Sequence, residues 1–228
     1  MSELNYLVAT LKPWHIEQYH STASELSGRW HLITEPSQLT SELIETINPR
    51  YIFFPHWSDK VPAKIFDRYE CVCFHETDVP FGRGGSPIQN LIERGYQETV
   101  ITALQMTEIL DAGPVYTQHP LSLLGLAEEI YLRSSEIIFT LIKEIVMSEP
   151  KPIPQTGMAT VFKRRTADQS VISKDRDQLT SIFDHIRMLD AQDYPPAFIE
   201  YGNIRIEFTR PALRTGKIET TATITLKS

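Results

Sequence analysis

A histidine and an aspartate draw attention by their placement. His75 closes a short apolar run, Cys71-Val72-Cys73-Phe74, and Asp111 opens a tight Asp-Ala-Gly-Pro turn shortly after a second apolar run over 100–106. An imidazole with an unperturbed pKa of roughly 6.5 can accept or donate a proton near neutral pH. A carboxylate brought beside it could orient the ring or share the proton. The pair is therefore a candidate for proton-transfer chemistry. His56, just past a third apolar run at 51–54, is a further candidate of the same kind. Taken one at a time, each has a plainer reading: a histidine ending a strand, or a turn aspartate bonding its own backbone.

The elements that must position these groups alternate in type. Residues 5–10 read as a strand, 13–26 as a helix, 31–34 as a short strand and 39–47 as a helix with Leu39, Leu43, Ile44 and Ile47 at helical spacing. Tyr51 to Phe54 is continuously apolar, as in a strand buried on both faces. A short helix is expected over 62–68, then strand 71–74, helix 88–94 starting at Pro87, and strand 100–106. A long amphipathic helix covers 127–147. This alternation predicts an α/β fold, a Rossmann-like, mostly parallel sheet with helices on both faces. In such sheets ligands bind beyond the carboxyl ends of the strands, where His56, His75 and Asp111 would converge. Pro150, Pro152, Pro154 and Gly157 mark a linker, dividing a catalytic domain (1–150) from a small, mainly β C-terminal subdomain (151–228). In the latter, 177–188 reads as a helix, and 204–208 and 220–226 alternate as half-buried strands do.

Bulk properties narrow the function. The 228 residues carry a net charge of −7, which argues against a non-specific nucleic-acid binder but not against a nucleotide ligand. No apolar run approaches a membrane span, and the N-terminal residues lack a signal peptide's features, so a cytoplasmic setting with no membrane partner is expected. The two cysteines, Cys71 and Cys73, would lie on one face of a strand with Cα atoms about 6.6 Å apart, the outer limit for a disulfide. With His75 they alternate onto that face, yet an extended strand spreads them too far for one tetrahedral metal ion, so no metal is expected. Arg83-Gly84-Gly85-Ser86 lacks the third glycine of a dinucleotide fingerprint. Its glycines allow close backbone approach, and the helix start that follows supplies free N–H groups.

Taken together, His75, Pro80, Arg83, Gly84 and Pro87, followed by Leu110-Asp111-Ala112-Gly113, resemble the folate-dependent formyltransferase family. The likeness covers most of the chain after about residue 50. That family pairs an Asn-x-His with this Asp; here the Asn position holds Cys73, whose thiol is a much weaker donor. The resemblance implies 10-formyltetrahydrofolate as formyl donor. It gives His75 and Asp111 the proton traffic and the oxyanion of a tetrahedral intermediate; His56, from its placement at a neighbouring strand end, is the residue that could replace the missing Asn. It places the folate near Met106, Ile109, Leu110, Gly113 and Pro114. The acceptor would lie near Thr77, Arg83, Gly84, Gly85 and Ser86, with Tyr194 and Phe198.

The C-terminal stretch, Phe162-Lys163-Arg164-Arg165-Thr166, Ile186 to Asp190 and Tyr194-Pro195-Pro196-Ala197-Phe198, is most similar to nucleotide-aminosugar N-formyltransferases such as that of the pseudaminic acid pathway. A methionyl-tRNA formyltransferase would be expected to carry a larger C-terminal domain with a basic face. The implied reaction is formyl transfer to the amine of a UDP-4-amino-4,6-dideoxy sugar, by an enzyme for which a homodimer is compatible. Two alternatives stay open: a hydrolase releasing formate from formyl-folate, and a catalytically impaired folate- or nucleotide-binding module.

Overall fold

The computed structural model describes residues 3–227. The chain opens with β1 (Asn5–Ala9), α1 (Pro13–Thr22), β2 (Arg29–Ile33), α2 (Ser41–Ile47), β3 (Tyr51–Phe54) and α3 (Ala63–Phe66). It continues through β4 (Cys71–His75), β5 (Arg83–Gly84), α4 (Pro87–Glu93), β6 (Glu98–Gln105), β7 (Val115–Ser122) and α5 (Ala127–Ser148). Last come β8 (Val161–Phe162), α6 (Leu179–Arg187), β9 (Ala197–Tyr201), β10 (Ile204–Arg214) and β11 (Lys217–Leu226).

Local chemistry explains several boundaries. Proline begins both α1 and α4, where its missing N–H costs nothing. α1 stops at Thr22, short of the expected residue 26: the Ser21 and Thr22 hydroxyls donate back to the Gln18 carbonyl, and one 3₁₀ turn (Ala23–Glu25) follows. α2 begins at Thr40, whose hydroxyl accepts from the Leu43 amide at 3.2 Å, and ends at Asn48 in the left-handed region.

The chain is of the α/β class, with a six-stranded sheet in the order β2-β1-β3-β4-β6-β7. β2, β1, β3 and β4 are parallel, and the four residues of β3 are all buried at the centre of that run. β6 then runs antiparallel to β4, with Val72 opposite Gln105 and His75 opposite Thr102. The end of β6 therefore lies beside the start of β4. Asp111 does not reach His75 from a shared carboxyl edge, as a parallel β6 would require; the loop 106–114 doubles back to it. β7 is an edge strand that the sequence pattern does not announce. Only Tyr116 and Leu121 are buried in it, and Pro120 is tolerated because an edge strand has an unpaired side.

A three-stranded antiparallel sheet, β11-β10-β9, forms the C-terminal β structure. Its register shifts between Thr209 and Ala212, where Arg210 takes a positive φ and its amide donates to the Asp190 carboxylate. The chain forms two compact units that interleave along the sequence. One holds the residues up to Arg83 with Val100–Leu121 and Leu132–Val161; the other holds Gly84–Thr99, Ser122–Tyr131 and the residues from Phe162 on. The six-stranded sheet's core, around Leu7, Ile33, Ile44, Ile52, Phe54, Ile65 and Cys71, belongs to the first. Among the described residues, no helix is long and apolar enough to cross a membrane.

Candidate active site

His75 is buried at the last position of β4. Its Nε2 lies 2.8 Å from the Gly82 carbonyl oxygen. A carbonyl only accepts, so Nε2 carries the proton and the neutral ring keeps its lone pair on Nδ1. That carbonyl is held in place: the Thr77 hydroxyl donates to it at 3.4 Å, and the Gly82 amide donates to the Thr160 hydroxyl at 2.7 Å. Nδ1 faces Asp111, with Oδ2 at 3.6 Å, too far for a direct hydrogen bond but within ion-pair range if the ring is protonated. The structure thus brings together the two residues singled out by type and spacing.

Asp111 itself sits at φ +53, a conformation that aspartate tolerates better than most residues. Two features hold its turn. Gly113 packs against β6 so closely that a Cβ there would stand 1.7 Å from the Gln105 carbonyl oxygen. The Gln155 side-chain amide donates to the backbone carbonyls of Asp111 (2.9 Å) and Gly113 (2.8 Å), while its own oxygen accepts from Arg83 Nε (3.1 Å) and Nη2 (2.7 Å). Arg83, expected to contact an acceptor, is here the far end of a strut that steadies the Asp111 turn. Gln155 lies within the proline-rich stretch, where nothing in the sequence pattern distinguishes it.

Around this pair, Met106 is half-buried against the core, with its amide donating to the Cys71 carbonyl at 2.8 Å. Ile109 and Leu110 stand about 70% exposed on the loop (69% and 70%), and the Pro114 carbonyl accepts from Gln105. Trp57, packed on the same cluster as Met106 and Cys73, has a buried indole N–H with no hydrogen-bond partner among the described residues. Cys71 and Cys73 are free thiols. The Cys73 thiol donates weakly to the Leu104 carbonyl (3.7 Å), and burial together with the Asp111 charge pushes its pKa to about 12.

His56, expected as a donor toward the reacting carbonyl, engages both ring nitrogens elsewhere. Nδ1 lies 2.7 Å from His15 Nε2, and Nε2 lies 2.7 Å from the Glu76 carboxylate. His15 Nδ1 in turn meets the Ser135 hydroxyl at 2.8 Å. Sequence spacing gave no sign of this cluster, because its members come from α1, the turn after β3, the residue after β4, and α5.

The other expected acceptor-side residues lie in the second unit. A Cβ on Gly85 would stand 2.5 Å from Arg164, and the Gly85 amide donates to the Phe162 carbonyl at 3.0 Å. The Ser86 hydroxyl accepts from the Arg165 amide. Close approach of the chain's own backbone therefore accounts for Gly85. Gly84 (φ +100) lies in the two-residue β5, which pairs with β8. Tyr194 stacks on Tyr131, with the two hydroxyls 2.6 Å apart. Phe198 is buried, with the Arg205 guanidinium 3.6 Å from its ring centre.

Comparison with known proteins decides the family. The chain is 46% identical to a solved structure described as methionyl-tRNA formyltransferase from Clostridium thermocellum, covering 98% of this chain and 99% of that one with a TM-score of 0.95. The chain belongs to the methionyl-tRNA formyltransferase-like formyltransferase family. Residues 167–225 of this family member also match the family described as methionyl-tRNA formyltransferase, C-terminal domain. A methionyl-tRNA formyltransferase of Gluconobacter oxydans is 33% identical over 109 residues, 46% of this chain and 36% of that protein. The match spans about half the length of the next such curated relatives. A 4-N formyltransferase from Francisella tularensis shares the fold at 14% identity, with a TM-score of 0.67 and coverage of 99% and 98% of the two chains.

Proposed function

We propose that this formyltransferase-family chain moves the formyl group of 10-formyltetrahydrofolate to the amine of a nucleotide-linked aminosugar of the UDP-4-amino-4,6-dideoxy type. The observation that carries the reaction is the pairing of buried His75 with part-buried Asp111, Nδ1 and the carboxylate 3.6 Å apart. The surroundings fit the donor. Exposed Ile109 and Leu110 and half-buried Met106 offer apolar surface to a flat heterocycle. When bound, the donor supplies the formyl carbon that the amine attacks.

The chain's own groups then divide the work. Asp111 accepts the proton of the attacking amine, directly or through water, and returns it to the donor nitrogen that leaves as its bond to the formyl carbon breaks. His75, once protonated on Nδ1, donates to the oxygen that gains charge, and the Nε2–Gly82 bond keeps the ring from turning away. Cys73 commits its weak S–H to Leu104, so in place of the family Asn it adds little to the oxyanion.

The acceptor choice rests on the net charge of −7, which suits a small ligand held at a local site better than a polyanion bound along a surface. The 46% identical Clostridium relative favours a second reading, with methionyl-tRNA as acceptor. The deciding experiment follows tetrahydrofolate release from 10-formyltetrahydrofolate, alone, with a panel of UDP- and dTDP-aminosugars, and with charged initiator tRNA. Release with a sugar, matched by a formyl-sized mass gain on it and abolished by His75→Gln or Asp111→Asn, supports the proposal. Release only with the tRNA replaces the acceptor. Release without any amine makes the protein a hydrolase, and donor binding without release under every condition makes it a binding module.

A further inference from the structure

The cluster of His15, His56 and Glu76 has no part in the proton traffic just described, yet it is built with care for protons. Its hydrogen bonds can be assigned from one end. The Ser135 hydroxyl donates to the Trp14 carbonyl at 3.1 Å, so it accepts from His15 Nδ1–H. His15 is buried, and burial, His56 and Lys12 hold its pKa well below the ordinary value, so it is neutral and its Nε2 carries a lone pair. His56 Nδ1–H fills that lone pair. One further proton remains, shared between His56 Nε2 and the Glu76 carboxylate 2.7 Å away. Glu76 is almost fully buried, and although burial alone would raise its pKa, the neighbouring His56 brings it below the usual carboxylate range. A 2.7 Å approach of a ring nitrogen to a carboxylate oxygen needs that proton between them.

At one end the chain of bonds reaches the Trp14 carbonyl. It ties together α1, the turn after β3, the residue after β4 and α5. Glu76 is the residue after His75. We propose that His56, His15 and Glu76 form a one-proton latch whose purpose is to set the position of His75, making all three positioning residues for the reaction. Glu76 follows His75 directly in the chain, so gripping its side chain fixes the peptide that carries the His75 ring. Transfer chemistry is sensitive to such placement: a displacement of about 1 Å can cost about 10²-fold in rate. The two rings hold each other without needing substrate, and His56 takes a positive φ to reach its place.

This inference rests on formyl transfer at His75, and its test separates the two. His56→Asn suits the left-handed backbone and removes the ring. It is expected to lower kcat about tenfold or more, with the KM for 10-formyltetrahydrofolate within about twofold. It also takes the His56 partner away from the buried Glu76 carboxylate, which lowers Tm. The double variant His56→Asn/Glu76→Gln removes that charge, so it should regain Tm while kcat stays low. Glu76→Gln alone can donate its amide to the His56 lone pair, keeping the grip without the proton, and should stay within about threefold of wild-type kcat.

Histidine-selective NMR of the folded proteins gives a readout independent of turnover. The His75 ring signal, assigned by its loss in His75→Gln, should move in the double variant. Wild-type kcat in His56→Asn, recovery of kcat together with Tm in the double variant, or an unmoved His75 signal would each overturn the latch. If Glu76→Gln is as slow as His56→Asn, the charge and not the grip is what acts, which also overturns it. If His56→Asn alone does not melt cooperatively, the double variant carries the comparison. Should wild-type protein transfer no formyl group to any acceptor, the proposed function falls and the NMR result decides the latch by itself.

Discussion

The most direct way to ask whether the Asp111 turn is mechanically important is to change Gln155 to glutamate. The substitution keeps the size of the side chain and its ability to accept from Arg83 Nε and Nη2. It abolishes the two donations to the Asp111 and Gly113 carbonyls, at 2.9 and 2.8 Å. A typical intramolecular hydrogen bond contributes about 1 kcal/mol net, so the held turn loses about 2 kcal/mol relative to a loosened one. A carboxylate facing two carbonyl oxygens adds repulsion. With each 1.36 kcal/mol worth a factor of ten, a kcat reduction of about 10- to 30-fold is expected in the tetrahydrofolate-release assay, with donor KM nearly unchanged. Hydrogen exchange of the amides over 107–113 should quicken in parallel. Arg83→Met is the control: it removes the far end of the strut but leaves both Gln155 donations, so it should slow kcat by less than Gln155→Glu does. Wild-type kcat and unaltered exchange in Gln155→Glu would refute the idea that Gln155 holds the catalytic turn.

Further expectations can be checked in the same preparations. Gly113→Ala has no room for its methyl group against the Gln105 carbonyl, so it should lower both Tm and kcat, since the backbone of β6 and the Asp111 turn must move apart. Both thiols should resist alkylation at pH 8 in the native protein and react once it is denatured, because desolvation pushes both upward, Cys73 to about 12; rapid native labelling would contradict this. Glu93, faced by His185 and paired with Arg176, has its pKa lowered to about 2 from the usual 4.5. Because the folded value lies below the unfolded one, its stabilisation is complete above about pH 4.5 and is lost as pH falls toward 2. Urea unfolding across that window should show a steeper acid loss in wild type than in Glu93→Gln.

Some of this molecule was legible from its amino-acid order. The apolar run Tyr51–Phe54 had to be a central strand, and Pro87 had to begin a helix, because continuous burial and the missing N–H of proline each allow few other outcomes. The spacing of His75, Arg83, Gly84, Pro87 and Asp111 carried the family, since side chains that act on one reacting atom must leave the backbone at fixed points. Strand direction was not legible. The run over 100–106 is equally apolar in a parallel or an antiparallel β6, and the Asp111 loop doubles back only because β6 is antiparallel. β7 escaped notice because an edge strand with two buried positions lacks a regular alternation.

Partners brought together by folding were hidden most completely. Gln155 lies 44 residues from Asp111, and Ser135 lies 120 from His15. The amino-acid order fixed which side chains could donate, accept or hold charge. Only the tertiary structure decided that His56 spends both ring nitrogens on His15 and Glu76, because a hydrogen bond depends on distances of a few tenths of an ångström that no spacing along the chain encodes.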